Sequence, residues 1–142
     1  MIKNILNLGD AALYCDFGKD VNKEINTQVI RYFKSIRKQN IEGINNLTPS
    51  YNKLIISFDL RKTNFKKLKS LVENLNVNKN DNLENKKVEI PVCSEENFSL
   101  DIKRLEEKLK ISREKIYENF FKKKFFCYMT GFIAGMPFLG DL

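Results

Sequence analysis

The chain contains no histidine. That removes Ser-His and Cys-His nucleophile pairs, and every metal site built on imidazole, from the chemistry open to it. Cysteine is scarce, with Cys15, Cys93 and Cys127 far apart, odd in number and in no CxxC pair. This usage fits buried thiols in a reducing, cytoplasmic compartment rather than a disulfide frame or a zinc site. Long apolar runs are also missing. Phe125 to Leu139 is strongly apolar, but it is shorter than the ~20 residues a membrane helix needs. The GxxxG spacing of Gly131 and Gly135 therefore lacks the apolar 20-mer that would give it meaning. Met1 to Leu8 has one lysine and too short an apolar core for a signal peptide. No membrane partner and no leader are expected.

What is present is globular in character. Of 142 residues, 42% are hydrophobic and 11% aromatic, values that exclude a disordered chain and allow one or two small domains. Lys and Arg number 25 against 18 Asp and Glu, a formal charge of +7. The excess is confined to one part: residues 1–87 hold 16 basic and 9 acidic side chains, and residues 88–142 hold 9 of each. A basic half fits an acidic partner or a solvated lysine surface. Abundant Asn, Lys and Ile, as AT-rich coding produces, inflate the charge without functional cause.

Period and punctuation predict an α+β order. Ala11, Leu13, Cys15 and Phe17 alternate onto one face of a strand between Gly9-Asp10 and Gly18. Asp20 is placed to cap a helix reaching Gln39, with Ile25, Val29, Phe33 and Ile36 as its apolar stripe. Ile41 to Thr48 reads as a weak strand, Pro49 to Asn52 as a turn, and Leu54, Ile56 and Phe58 as a second alternating strand. A helix from about Asn64 turns Phe65, Leu68, Leu71, Val72 and Leu75 inward. Asn76 to Asn85 is a polar linker. Val88 to Val92 alternates once more, with Pro91 restricting it to an edge or a crossing. This order suits a small antiparallel sheet with helices on one face. The expected division is residues 1–86 as an N-terminal α+β domain and 87–142 as the start of a second domain. In the latter, Ser99 and Ser112 are placed to cap two short helices, Lys122 to Lys124 to end the second, and Phe125 to Met129 to form a strand. Phe120, Phe121, Phe125 and Phe126 at helix and strand periods read as core rather than as a base-stacking platform, so no nucleic-acid partner is expected.

The closing segment GFIAGMPFLGDL interleaves three glycines and a proline with large apolar residues. Glycine allows positive φ and close backbone approach, and proline fixes φ. Gly131, Phe132, Gly135, Pro137, Phe138 and Gly140 are the candidate substrate-binding residues, with backbone amides cradling a phosphate or carboxylate or shaping a pocket wall. The structural alternative is a tight turn that packs Phe132, Met136 and Phe138 into a core. No Walker or GxGxxG pattern is present, and no residue is assigned a catalytic role. Glu95-Glu96 and Glu106-Glu107 are adjacent pairs whose side chains diverge on a helix, so neither makes a catalytic dyad.

Three pieces read in order resemble one family. GDAALYCDFG (Gly9 to Gly18) resembles a GDxALxVxFG opening strand, VEIPVC (Val88 to Cys93) a VxIPVCY entry to a second domain, and YMTGFIAGMPFLG (Tyr128 to Gly140) a YxxGFxPGFPYLG signature. The family is the KipI/PxpB type, which includes the B subunit of 5-oxoprolinase, the first subunit of allophanate hydrolase and the carboxyltransferase C/D region of urea carboxylase. The resemblance implies an N-terminal α+β domain followed by the start of a cyclophilin-like β-barrel domain. It implies that the chain works with C-like and A-like 5-oxoprolinase subunits as partners. Together they would open 5-oxo-L-proline to L-glutamate with ATP, which the complex binds and this chain alone does not. A KipI-like inhibitor of a sensor histidine kinase, or a carboxyltransferase or allophanate hydrolase-related subunit, is the alternative. The sequence departs from the pattern at Ala134, Met136 and Phe138, and Glu118 to Phe121 stand where a histidine is common. Downstream GSVxIxGxQ and SPGGW elements do not appear, so the chain is expected to be an interrupted or partial subunit.

Overall fold

A computed structural model of the chain describes residues 2–77 and 86–140. Two compact units emerge, Met1–Glu84 together with Phe126–Leu142, and Asn85–Phe125. The expected 86/87 division follows the order of the sequence, whereas chain contacts group Phe126–Leu142 with the first unit.

The first unit is built on β1 (Asn4–Asn7), β2 (Ala12–Asp16), β3 (Ile44–Pro49) and β4 (Lys53–Phe58), with α1 (Lys23–Gln39) and α2 (Phe65–Glu73). The four strands form one antiparallel sheet in the order β1-β2-β4-β3. Register places Ile5, Cys15 and Leu54 in one row and Leu13, Ile56 and Leu47 in another. Successive strand side chains alternate between faces, so these rows share one face. Val29 and Ile36 of α1 and Leu68 and Val72 of α2 pack on that face and complete a single core. The mixed α+β fold with helices on one face of a small antiparallel sheet is as the sequence pattern predicts. A second, two-stranded sheet pairs β5 (Phe126–Thr130) with β6 (Pro137–Gly140), and no closed barrel forms among the described residues.

Several local expectations are corrected. The α1 cap is Asn22, whose Oδ1 accepts from Ile25 N at 2.9 Å, not Asp20. The Asn52 side-chain amide donates to the carbonyls of Gly18, Lys19 and Asp20, which holds that stretch out of the helix. β1 falls in residues considered only as a possible leader. Ile5 is its single buried side chain, too little alternation to show in sequence. The polar linker expected over 76–85 lies, from residue 78 on, outside the described residues.

The second unit holds a short 3₁₀ turn (Glu96–Phe98), α3 (Ile102–Leu109) and α4 (Arg113–Lys122). Val88 to Val92 forms no strand, and Val88, Ile90 and Val92 are exposed. A strand needs a neighbour for its backbone ladder, and none pairs there. Ser99 caps no helix: its hydroxyl lies 3.0 Å from Glu95 O and 2.6 Å from Tyr117 Oη, and α3 starts three residues later. Ser112 does cap α4, accepting from Lys115 N. Phe120 and Phe121, expected in a core, are exposed and contact each other edge to face at 5.5 Å.

Candidate functional site

The candidate residues all fall on the β5–β6 hairpin. Phe126 pairs with Gly140, Cys127 with Leu139, Met129 with Phe138 and Thr130 with Pro137, leaving Tyr128 as the extra residue of a bulge. Bulges re-aim a side chain, and here the Tyr128 ring turns onto the partner strand. A Cβ on Gly140 would lie 2.3 Å from Tyr128 Cε2, so only glycine fits opposite that ring. Tyr128 is 2% exposed and meets Phe126 at 4.8 Å and Tyr51 at 5.2 Å between centroids. Phe138 meets Tyr51 edge to face at 6.5 Å.

A buried polar group ties this hairpin to the first unit's α1 and β3–β4 turn. Asn26, 2% exposed, sends its amide nitrogen to Ser50 O at 3.1 Å, Tyr51 O at 3.0 Å and Tyr128 O at 3.1 Å. Two N–H groups thus serve three carbonyls from two segments, where unmet buried carbonyls would be costly. Ser50 Oγ reaches Met129 Sδ at 3.4 Å, and Lys23 Nζ lies 5.5 Å from the Phe126 ring centroid. Sequence reasoning missed Asn26, because a polar residue beside the apolar stripe of α1 reads as solvated until the turn at Ser50 and β5 close over it. An open cavity of about 430 Å³ lies beside Asn22, Lys23, Glu24 and Tyr128.

The hairpin tip is wound tightly. Gly131 N–H donates to Met136 O at 3.1 Å, Ile133 N–H to Gly131 O at 2.7 Å, and Met136 N–H to Ile133 O at 3.0 Å. The second of these bonds closes a three-residue turn around Phe132, whose φ of 63° is in the left-handed region. Such turns are rare and strained for a residue with a Cβ. Gly135 takes φ 83° at the third position of the following four-residue turn, which favours glycine. Phe132 is 90% exposed and Ile133 and Met136 are exposed beside it. The structure therefore departs from a turn that packs Phe132 and Met136 into a core. It brings the six candidates together on one hairpin but splits their tasks. Gly131 and Gly135 form the tip, Phe132 projects from it, and Pro137, Phe138 and Gly140 belong to β6.

No histidine, lysine, arginine or carboxylate side chain occurs from Phe126 to Gly140. The one thiol there, Cys127, is exposed and lies 3.3 Å from Met129 O. Proton transfer at this hairpin must use groups from elsewhere, and its own contribution is shape, apolar surface and backbone dipoles. Away from it, burial pushes the Cys15 thiol up to about 12, which makes it inert as a nucleophile. Asp16 is held below the usual carboxylate range, first by the Lys53 ammonium bonded to it and then by Gly18 N–H at 2.8 Å. Lys53 also donates to Gly18 O at 2.5 Å, so this pair fastens the end of β2 to β4. Among the described residues no cluster of three or more Cys, Asp or Glu could hold a metal, and no helix is long and apolar enough to cross a membrane.

Comparison with known proteins covers nearly the whole chain. Residues 3–142 match the carboxyltransferase domain, subdomain C and D. The chain is 26% identical to the 5-oxoprolinase B subunit of Bacillus subtilis over 156 residues, covering 97% of this chain and 62% of that protein. Among solved structures it is similar to TTHA0988, with a TM-score of 0.75 and 26% identity over 90% of this chain and 25% of that one. It is also similar to the conserved uncharacterized protein PH0987 from Pyrococcus horikoshii, with a TM-score of 0.50 and 28% identity over 96% of this chain and 63% of that one. The chain thus spans less than two thirds of the length of each of these relatives. With the family model matching residues 3–142, this chain belongs to the carboxyltransferase family of subdomains C and D.

Proposed function

We propose that this chain is part of one component of a cytoplasmic, ATP-dependent 5-oxoprolinase, acting with A-like and C-like partner subunits. The observation that carries the reading is the similarity to the B subunit of 5-oxoprolinase along 97% of the chain. The hairpin supports it chemically. It exposes Phe132, Ile133 and Met136 and lacks ionisable acid–base pairs, as expected of a wall that shapes a site whose reactive groups come from partners.

Opening the lactam of 5-oxo-L-proline adds one water across the ring C–N bond and yields L-glutamate. The lactam is stable, so ATP hydrolysis, which consumes a second water, is coupled to activating its carbonyl. Charge develops on that carbonyl oxygen as water adds, and fixed donors stabilise it. Gly131 N–H is already bonded to Met136 O within the hairpin. In this reading Phe132, Gly135, Pro137, Phe138 and Gly140 position the substrate ring, and the oxyanion donors lie in the partners.

The test is co-purification with A-like and C-like subunits, followed by measurement of ADP release with and without 5-oxo-L-proline. Oxoproline-dependent ADP release that requires this chain is the expected result. A stable complex that releases no ADP, while the same partners work with a full-length B subunit, rejects the proposal.

A further inference from the structure

The order β1-β2-β4-β3 leaves β3 at one edge of the sheet. Its sequence, INNLTP, holds no charged residue. Edge strands are commonly guarded against strand addition by lysine, by shortness or by bulges. At the opposite edge β1 has only four residues. β3 has six, and its guards, a bulge between Ile44 and Asn46 and Pro49, lie at its two ends.

Beside this edge runs the second half of α1, and between them lies an open cavity of about 360 Å³. Its floor includes Ile41 and Leu47, half-buried residues at the margin of the apolar core, with the buried Ile36 beneath. Its rim includes Asn40, Asn46 and Arg37, and no carboxylate lines it. The Arg37 guanidinium is held 5.8 Å from the Phe33 ring centroid. A strand edge beside a groove with a helix for its far wall is the geometry in which an extended peptide adds to a sheet. The main chain then gives affinity and alternate side chains enter the groove.

We infer that β3 and the α1 groove bind an extended segment of an acidic partner protein. The segment adds antiparallel or parallel to β3, places an apolar side chain on Ile41 and Leu47, and sets a carboxylate against Arg37. Charge decides between this occupant and a second copy of the chain. Pairing of two β3 edges would bring two copies of α1 side by side, and each carries Lys23, Arg31, Lys34, Arg37 and Lys38 against Glu24 alone. Like charges so placed oppose self-association, whereas an acidic segment is attracted.

The probe is a capped peptide, Thr-Val-Thr-Glu-Thr-Val, whose alternate residues Val, Glu and Val face one side of a strand. Backbone amide shifts of the intact chain are followed by NMR as peptide is added to millimolar concentration. Shifts centred on Ile44 to Leu47 and Arg37 to Ile41 are expected. A peptide with Lys for Glu is expected to bind at least roughly fivefold more weakly, and Arg37→Glu to invert that preference. N-methylation of the amides on one edge of the peptide abolishes binding, and methylation of the other edge leaves it intact. Three results overturn the inference: no shifts at β3, binding that survives both methylation patterns, or concentration-dependent self-association through β3 without peptide.

Discussion

The two compact units use similar helices to different ends. In the first, α1 and α2 lay Val29, Ile36, Leu68 and Val72 on a four-stranded sheet, and Leu13, Cys15, Leu54 and Ile56 of its central strands are fully excluded from water. In Asn85–Phe125, α3 is strongly amphipathic and α4 less so, yet Ile102 is the one buried hydrophobic residue among those described. An amphipathic helix of eight or ten residues supplies one apolar stripe and gains little until another apolar layer meets it. The sheet makes the difference, and the strand expected at Val88 to Val92, which would have supplied such a layer, does not form.

The sharpest way to break this contrast is to cut the same number of carbon atoms from each unit. Ile56→Ala is expected to cost about 2–5 kcal/mol, as for other buried large-to-small changes. Ile102→Ala is expected at the bottom of that range, about 2 kcal/mol, because no other hydrophobic residue of its unit is buried among those described. Urea unfolding followed by circular dichroism measures both, and equal costs would erase the distinction between the units. Asn26→Leu comes next. It removes the amide bonds to the carbonyls of Ser50, Tyr51 and Tyr128, at about 1–3 kcal/mol. It should release the hairpin first, so amide exchange rises at Phe126 to Thr130 before it rises in β2 or β4. Uniform loss of protection would show that the hairpin and sheet unfold as one.

Gly140→Ala tests whether the hairpin is shaped by its own packing. The added methyl meets the Tyr128 ring, and a cost of about 1–3 kcal/mol is expected. Removing the ring in a Tyr128→Ala background should abolish most of that additional cost, and a double-mutant cycle reads the coupling. The smallest effect concerns Asp16. Its carboxyl is depressed in the folded state. Its stabilisation is therefore present above the unfolded-state value near ~3.9 and is lost as pH falls through the lower folded value. Asp16→Asn should cost under about 1 kcal/mol at neutral pH and flatten the acid limb of the stability profile. An unchanged limb would show that the Lys53 pair is not what holds this corner.

Periodicity is informative wherever one face of an element is buried. The alternation Leu13, Cys15, Phe17 and Leu54, Ile56, Phe58, and the stripe from Ile25 to Ile36, give β2, β4, α1 and their core residues from spacing alone, whereas β1, with one buried side chain, leaves no such pattern. The six hairpin candidates are legible as a group, because glycine and proline between large apolar residues mark a constrained turn. Their separate tasks are not: that Gly140 faces an aromatic ring depends on the register of β6 and the bulge at Tyr128. Asn22 in place of Asp20 as the α1 cap depends on the reach of Asn52 from a turn more than thirty residues away.

By itself, then, the sequence determined the α+β class, the excess of positive charge in its first part and the exclusion of histidine chemistry, since each follows from local spacing or from composition. Tertiary structure decided which edge of the sheet stands open, which polar side chain is buried at Asn26, and that Phe132 projects instead of packing. Those depend on strand order, register and long-range hydrogen bonds, which bring together residues that no local pattern connects.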